Sequence, residues 1–210
     1  MQSFKTHTGK IAVINRANID TDQIIAKQFL KSIKRTGYGE SLFFDWRYLP
    51  DGKDNPTFEL NTPRFKNSTI LVAGNNFGCG SSREHAVWAV VQYGFQVVIA
   101  PKLGDIPAFA DIFYNNSTKN GLLCITLGEK EVQEIMQAVE AEEGLAATVN
   151  LENQQIILHS KRAEKTFSFE IDTAVKTHLL RGLDDIGLSL QHEADITTFE
   201  KNYDPQIYGI

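Results

Sequence analysis

Short stretches of alternating or uninterrupted apolar residues predict the strands of a sheet. The segment "KIAVINRA" alternates apolar and polar residues as a half-buried strand does, and "STILVAGNNFG" and "FQVVIA" contain short β-branched runs typical of buried strands. "LLCITL" predicts a further strand of the same layer. Later in the chain, "ATVNLENQQIILHS" is typical of a hairpin that turns at Glu152-Asn153, and "KTFSFEID" alternates again.

Segments with apolar residues at helical spacing lie between several of these strands. An apolar face between Ser82 and Tyr93 predicts a helix that stops at Gly94. "IPAFADIFYNNSTKNG" predicts a second helix ending near Gly121, and "EKEVQEIMQAVEAEEG" an amphipathic surface helix. The C-terminal part predicts two helices broken at "GLDD", where Asp184 or Asp185 caps the second one.

The order of these elements predicts an α/β fold. A strand, a glycine-rich loop, a helix and a strand form a βαβ unit, which favours a parallel, right-handed crossover. Because the hairpin adds antiparallel strands, we expect a mixed sheet flanked by helices. The chain has 210 residues and no linker-like or repetitive segment, so we expect a single domain over residues 1–210.

Composition and charge narrow the possible functions. The net charge of -5 disfavours nucleic acid as a partner, because phosphate binding depends on Lys and Arg. The first residues lack an apolar signal region, and no apolar run is long enough to span a bilayer, so we expect a cytoplasmic protein. Cys79 and Cys124 are too few for a disulfide framework or a cysteine-ligated metal site. We therefore expect any metal to be supplied by a partner.

The stretch "AGNNFGCGSSREHAVWAVVQYG" concentrates the candidate chemistry. Ser81 and Glu84 have the spacing of a capping box, which would make Ser81 the N-cap of the following helix. The alternative is an anion site, in which glycines let backbone N–H groups approach an acid and Arg83 binds it. The glycine spacing of nucleotide-binding loops is missing, so a carboxylate is favoured over a phosphate. A serine in such surroundings, with a lowered pKa, is suited to act as a base.

Cys79 offers a rival interpretation, in which its thiol is a nucleophile and His85 its base. No Cys-His-Asn arrangement is recognisable in the chain, and cytosolic cysteines are most often small buried hydrophobic residues. His85 is more simply interpreted as a helix residue with local contacts than as a metal ligand.

Several segments in order, "NIDTDQII", "GNNFGCGSSREHA", "ADIFYNN" followed by "KNGLL", and "LLRGLDDIGLSLQHE", resemble the 3-isopropylmalate dehydratase small subunits of the aconitase superfamily. The resemblance implies a swivelling β/β/α domain, like the aconitase C-terminal domain, that closes over a site held by a large subunit. It also implies a four-iron four-sulfur cluster on that partner and none on this chain. The implied reaction converts 2-isopropylmalate, a small dicarboxylate, to 3-isopropylmalate by dehydration and rehydration in leucine biosynthesis.

The same resemblance implies roles for the residues of the motif. Ser81 would take a proton from carbon, and Arg83 would hold a substrate carboxylate. Gly80 and Ser82, on either side of Ser81, would contact the substrate with it. Asp22, in the T-D-x-I segment, would reach the active site and orient other groups, although an Asx-turn or a helix cap is its ordinary use.

Three further residues have implied roles in substrate recognition. Phe29 and Leu30 would face the isopropyl group, and Arg35 would bind the second carboxylate. The structural alternatives are core packing for Phe29 and Leu30 and a solvated surface charge for Arg35. Two other functions stay open: the same chemistry on a methylmalate, citraconate or homocitrate type of acid, and a non-catalytic anion-binding module.

Overall fold

A seven-stranded mixed sheet forms the centre of this computed structural model, which describes residues 2–31, 35–183 and 185–203. The strand order is β4-β3-β2-β1-β5-β6-β7. The strands are β1 (Thr6–Ile14), β2 (Ile70–Ala73), β3 (Val97–Lys102), β4 (Leu123–Gly128), β5 (Ala146–Asn150), β6 (Gln155–His159) and β7 (Glu164–Ser168).

The long strand β1 joins a parallel half of the sheet to an antiparallel half. It runs parallel to β2, with Ile11 opposite Ile70, and antiparallel to β5, with Gly9 opposite Ala147. β2, β3 and β4 are parallel neighbours, whereas β5, β6 and β7 are antiparallel. The mixed α/β sheet expected from the sequence is therefore confirmed.

Both faces of the parallel strands are buried, which explains their uninterrupted apolar runs. In β2, Leu71 belongs to one hydrophobic core and its neighbour Ile70 to the core on the opposite face. Helix α3 (Glu84–Tyr93) covers the first core. Helix α5 (Glu129–Ala141) covers the second with Val132, Ile135 and Val139, which confirms the predicted amphipathic helix.

The remaining helices are α1 (Thr21–Ile24), α2 (Phe44–Arg47), α4 (Asp111–Asn120), α6 (Thr173–Arg181), α7 (Asp185–Ser189) and α8 (Glu193–Asn202). α4 ends at Asn120, and its C-cap Gly121 lies in the left-handed region, which confirms the predicted end near this glycine. The predicted cap at Asp184 lies outside the described residues, and α7 begins at Asp185. Within residues 2–31, 35–183 and 185–203, the helices lack the length and hydropathy that crossing a bilayer requires.

Candidate active site

Three loops meet at the carboxyl ends of the parallel strands β1, β2 and β3, the edge at which open α/β sheets usually bind ligands. The backbone N–H of Asn18, after β1, donates to the carbonyl of Asn75, after β2, at 2.9 Å. The N–H of Phe77 donates in turn to the carbonyl of Ala108, after β3, at 2.9 Å. These bonds join the three loops into one layer, and the glycine-rich loop lies in its middle.

Packing within the chain explains two glycines of that loop. A Cβ on Gly74 would lie 2.3 Å from the carbonyl oxygen of Arg16, and a Cβ on Gly78 would lie 2.3 Å from Cγ of Phe113. Gly80 has a φ of 91°, but a Cβ there would meet its nearest neighbours at 3.5 Å. Gly74 and Gly78 therefore let other parts of the chain approach the loop, whereas Gly80 is exposed and open toward α1.

The predicted capping box at Ser81 and Glu84 is wrong. Helix α3 begins at Glu84, two residues later than predicted, and its N-cap is Arg83, whose side chain makes no capping bond. The Glu84 carboxylate instead accepts a hydrogen bond from Nδ2 of Asn120 at 3.0 Å. Ser81 Oγ accepts a long hydrogen bond of 3.5 Å from Nη2 of Arg83. The Ser81 hydroxyl and the Glu84 carboxylate thus bond other side chains and do not cap each other's backbone N–H groups.

Asp22 and Arg83 form the ion pair at the centre of the site. The capping box of α1 is made by Asp20 and Gln23, with bonds of 2.7 and 2.9 Å, so the interpretation of Asp22 as a helix cap is wrong. Asp22 Oδ1 accepts a hydrogen bond from Nη1 of Arg83, and Oδ2 lies 3.6 Å from Nζ of Lys27. The Arg83 side chain is only 14% exposed. Nothing in the sequence pattern singles out Lys27.

Thr21 attaches the start of α1 to the glycine-rich loop. Its backbone N–H donates to the carbonyl of Cys79 at 2.9 Å, and its hydroxyl donates to the carbonyl of Ser81 at 3.0 Å. Thr21 itself is buried. These two bonds hold the segment with Asp22 against the segment with Ser81, and both side chains bond Arg83, although the segments are about sixty residues apart in the chain.

The thiol–imidazole alternative finds no support in this geometry. Burial, with a further contribution from the charge of Asp20, raises the pKa of Cys79, which keeps its thiol neutral. The His85 ring packs against the rings of Tyr38 and Trp88, with centroids 5.3 and 4.7 Å away. His85 is thus part of an aromatic cluster on α3.

The substrate-recognition candidates lie beside this centre. Phe29 and Leu30 belong to a 3₁₀ turn, Lys27–Lys31, and are half-buried against the core; the Phe29 ring contacts Phe44 at 4.9 Å. Arg35 places its guanidinium over the Trp88 ring, 5.7 Å from the centroid. Trp88 lies one helical turn after Glu84, so Arg35 contacts the side of α3 about one turn away from the start of the helix. Their roles toward a substrate stay predictions.

The thiols of this chain do not fit a metal cluster. Burial raises the pKa of the Cys124 thiol to about 12, so it stays protonated, and Cys79 is the only other cysteine of the sequence. Iron–sulfur clusters are held by sets of cysteine thiolates larger than this pair. Within residues 2–31, 35–183 and 185–203, no three His, Cys, Asp or Glu side chains are grouped to hold a metal ion.

Comparison with known proteins identifies relatives over nearly the whole chain. Residues 1–130 match the aconitase C-terminal domain family, residues 133–173 a family described as LeuD_N, and residues 185–206 the C-terminal domain of the 3-isopropylmalate dehydratase small subunit. The 3-isopropylmalate dehydratase small subunit of Desulforapulum autotrophicum is 58% identical over 95% of both chains. That of Halalkalibacterium halodurans is 55% identical over 95% of this chain and 98% of its own.

A solved structure shares the fold. The crystal structure of 3-isopropylmalate dehydratase from Methanocaldococcus jannaschii aligns with a TM-score of 0.64 over 92% of this chain and 98% of that one. Its sequence identity of 23% makes it evidence for the fold alone.

Proposed function

The chain belongs to the family of 3-isopropylmalate dehydratase small subunits, and from that membership we propose that Ser81, Arg83 and Asp22 are the residues with which it completes the active site. The family catalyses the isomerisation of 2-isopropylmalate to 3-isopropylmalate in leucine biosynthesis, and this chain is a subunit of that hydro-lyase. The contact that carries the residue assignment is the convergence of Asp22 and Ser81 on one guanidinium.

Arg83 is the binding group of the proposed site. A guanidinium offers several N–H donors in a fixed plane, which suits a bidentate bond to a carboxylate. Asp22 holds Nη1, and Nη2 reaches toward Ser81 Oγ, so the donors are oriented before any substrate arrives. Gly80 and Ser82 are exposed on either side of Ser81, where they would contact the same carboxylate.

Ser81 is the proposed base. Dehydration of 2-isopropylmalate removes hydroxide from one carbon and a proton from the next, and rehydration adds the hydroxide and the proton back to the same two carbons in exchanged positions. An alkoxide is stabilised by a nearby positive charge, and Arg83 Nη2 is the donor at Ser81 Oγ, 3.5 Å away. Ser81 is exposed in this chain, so exclusion of water from the alkoxide requires a second protein surface.

The second surface is the large subunit that a small subunit implies. Because the two thiols of this chain do not fit a four-iron four-sulfur cluster, we assign the cluster expected for the family to that large subunit. We propose that the two subunits meet in the cytoplasm and that this chain acts as one domain over residues 1–210.

Phe29 and Leu30 would then face the isopropyl group, and Arg35 would leave Trp88 to bind the second carboxylate.

The test is anaerobic reconstitution. This chain is mixed with a cluster-loaded large subunit from the same source, and the alkene absorbance of isopropylmaleate is followed after addition of 3-isopropylmalate. We expect absorbance to rise in the mixture and to stay flat for each subunit alone. A panel of methylmalate, citraconate and homocitrate-type acids measures selectivity among related acids. A flat trace with an intact cluster would contradict the proposal and favour an anion-binding module.

A further inference from the structure

Two isoleucines are exposed beside the glycine-rich loop. Ile106, in the turn after β3, and Ile112, in the first turn of α4, each expose 48% of their surface. The backbones of Leu103 and Ile106 exchange hydrogen bonds of 3.0 and 2.9 Å, which close a tight turn and fix Ile106 at its end. A β-branched side chain on a fixed backbone has few rotamers, so it loses little conformational entropy when a partner covers it.

The segment between these isoleucines is bonded directly to the glycine-rich loop. Asn76 N–H donates to the carbonyl of Pro107 at 2.9 Å, and Ala110 N–H donates to the carbonyl of Phe77 at 3.0 Å. Phe113, the residue after Ile112, fills the space that a Cβ on Gly78 would need. The turn after β3 and the start of α4 are therefore fixed against the first part of the loop that carries Ser81.

A partner that covers Ser81 is large enough to reach the turn after β3 and the start of α4. Specific interfaces involve roughly 20–30 residues on each side, many more than the glycine-rich loop exposes. Single exposed apolar residues are common on monomers, but a pair beside a loop that must be covered is suited to the buried part of an interface. Each isoleucine follows an exposed aspartate, Asp105 or Asp111, so the surface carries negative charge at its border.

We propose that Ile106 and Ile112, bordered by Asp105 and Asp111, form a docking surface for the large subunit. The matching surface of the partner is apolar and carries Lys or Arg at its border. This proposal rests on the proposed function, because it takes the covering partner of Ser81 to be the large subunit. The apolar contacts slow dissociation, and the aspartates accelerate encounter at low salt.

The test compares Ile106→Asp and Ile112→Asp with Leu49→Asp. Leu49 is 40% exposed and follows Tyr48 at the other end of α3, where the Arg47 guanidinium lies 4.9 Å from the Tyr93 ring. Each variant is titrated into a fixed amount of cluster-loaded large subunit under anaerobic conditions. The half-saturating concentration reports association, and the plateau reports turnover of the complex.

We expect each isoleucine variant to raise the half-saturating concentration by about tenfold or more, as for the central residues of interfaces, with an unchanged plateau. Leu49→Asp should leave both values unchanged, and all three variants should keep the wild-type thermal midpoint. Isoleucine variants that titrate like Leu49→Asp would overturn the proposal. If the wild-type mixture is inactive, the proposed function fails. Sedimentation of the mixed subunits then tests the docking surface, because the isoleucine variants should bind the large subunit more weakly than Leu49→Asp does. A wild-type chain that does not sediment with the large subunit overturns both.

Discussion

Replacing Gly78 with alanine tests why the glycine-rich loop needs its glycines. Gly78 has a φ of 76°, a conformation that costs a residue with a Cβ about 1–2 kcal/mol. The new Cβ would also lie 2.3 Å from Cγ of Phe113, a buried ring that α4 and the core hold in place. Overpacking of this kind costs about 1–3 kcal/mol. We therefore expect Gly78→Ala to lower the free energy of unfolding by about 2–5 kcal/mol, the sum of these two costs.

Gly80→Ala is the matched control for this prediction. Gly80 also has a positive φ, 91°, but a Cβ there would meet Asp20 and Thr21 at 3.5 Å, which is an ordinary contact. Its expected cost is about 1–2 kcal/mol, from the backbone alone. Urea unfolding followed by tryptophan fluorescence measures the stability of both variants. Their midpoints can be compared directly when the free energy of unfolding depends equally on urea concentration. Equal midpoints for Gly78→Ala and Gly80→Ala would refute the role assigned to Phe113.

Further outcomes follow from individual contacts. Asp22→Asn should lower the free energy of unfolding by about 1–3 kcal/mol, between the values for exposed and buried ion pairs, and urea unfolding measures it. Asn120→Ala removes 3.0 Å hydrogen bonds to Glu84 and Trp88 and should cost about 1–3 kcal/mol in the same assay. The Cys124 thiol, whose pKa is raised from 9.0 to about 12, should resist maleimide at pH 8 until urea unfolds the chain. Because the unfolded chain loses this proton first, Cys124 lowers stability as the pH rises above about 9, which urea midpoints at pH 8 and 10 measure.

The strands and most helices could be predicted because their signals are local. Uninterrupted apolar runs identified β2, β3 and β4, which are buried on both faces, and alternation identified the hairpin strands. The order of the strands could not be predicted in the same way. The position of β1 between β2 and β5 depends on contacts between residues more than fifty positions apart, such as Ile11 with Ile70.

The start of α3 shows why a local motif failed. The S-x-x-E spacing at Ser81 and Glu84 predicts only hydrogen bonds between residues close in sequence. In the structure, residues distant in sequence determine the hydrogen bonds of this segment. Asn120 engages Glu84, and Arg83 is drawn toward Asp22 in an extended conformation, which delays the helix. Ser81 and Arg83 could be proposed from the glycine-rich motif itself, whereas Asp22 was found through the family resemblance. The convergence of Asp22 and Ser81 on Arg83 is a tertiary contact that no spacing rule contains.

The substitution Ser81→Ala in the reconstituted enzyme tests the central claim most directly. The variant and its control, Ser168→Ala on the exposed edge strand β7, are assayed anaerobically at saturating large subunit. Loss of a general base should lower kcat by about 10²–10⁴-fold, with little change in KM, while the control keeps wild-type values. A Ser81→Ala complex with wild-type kcat would contradict the account, because the loop would then bind the acid without taking part in its chemistry.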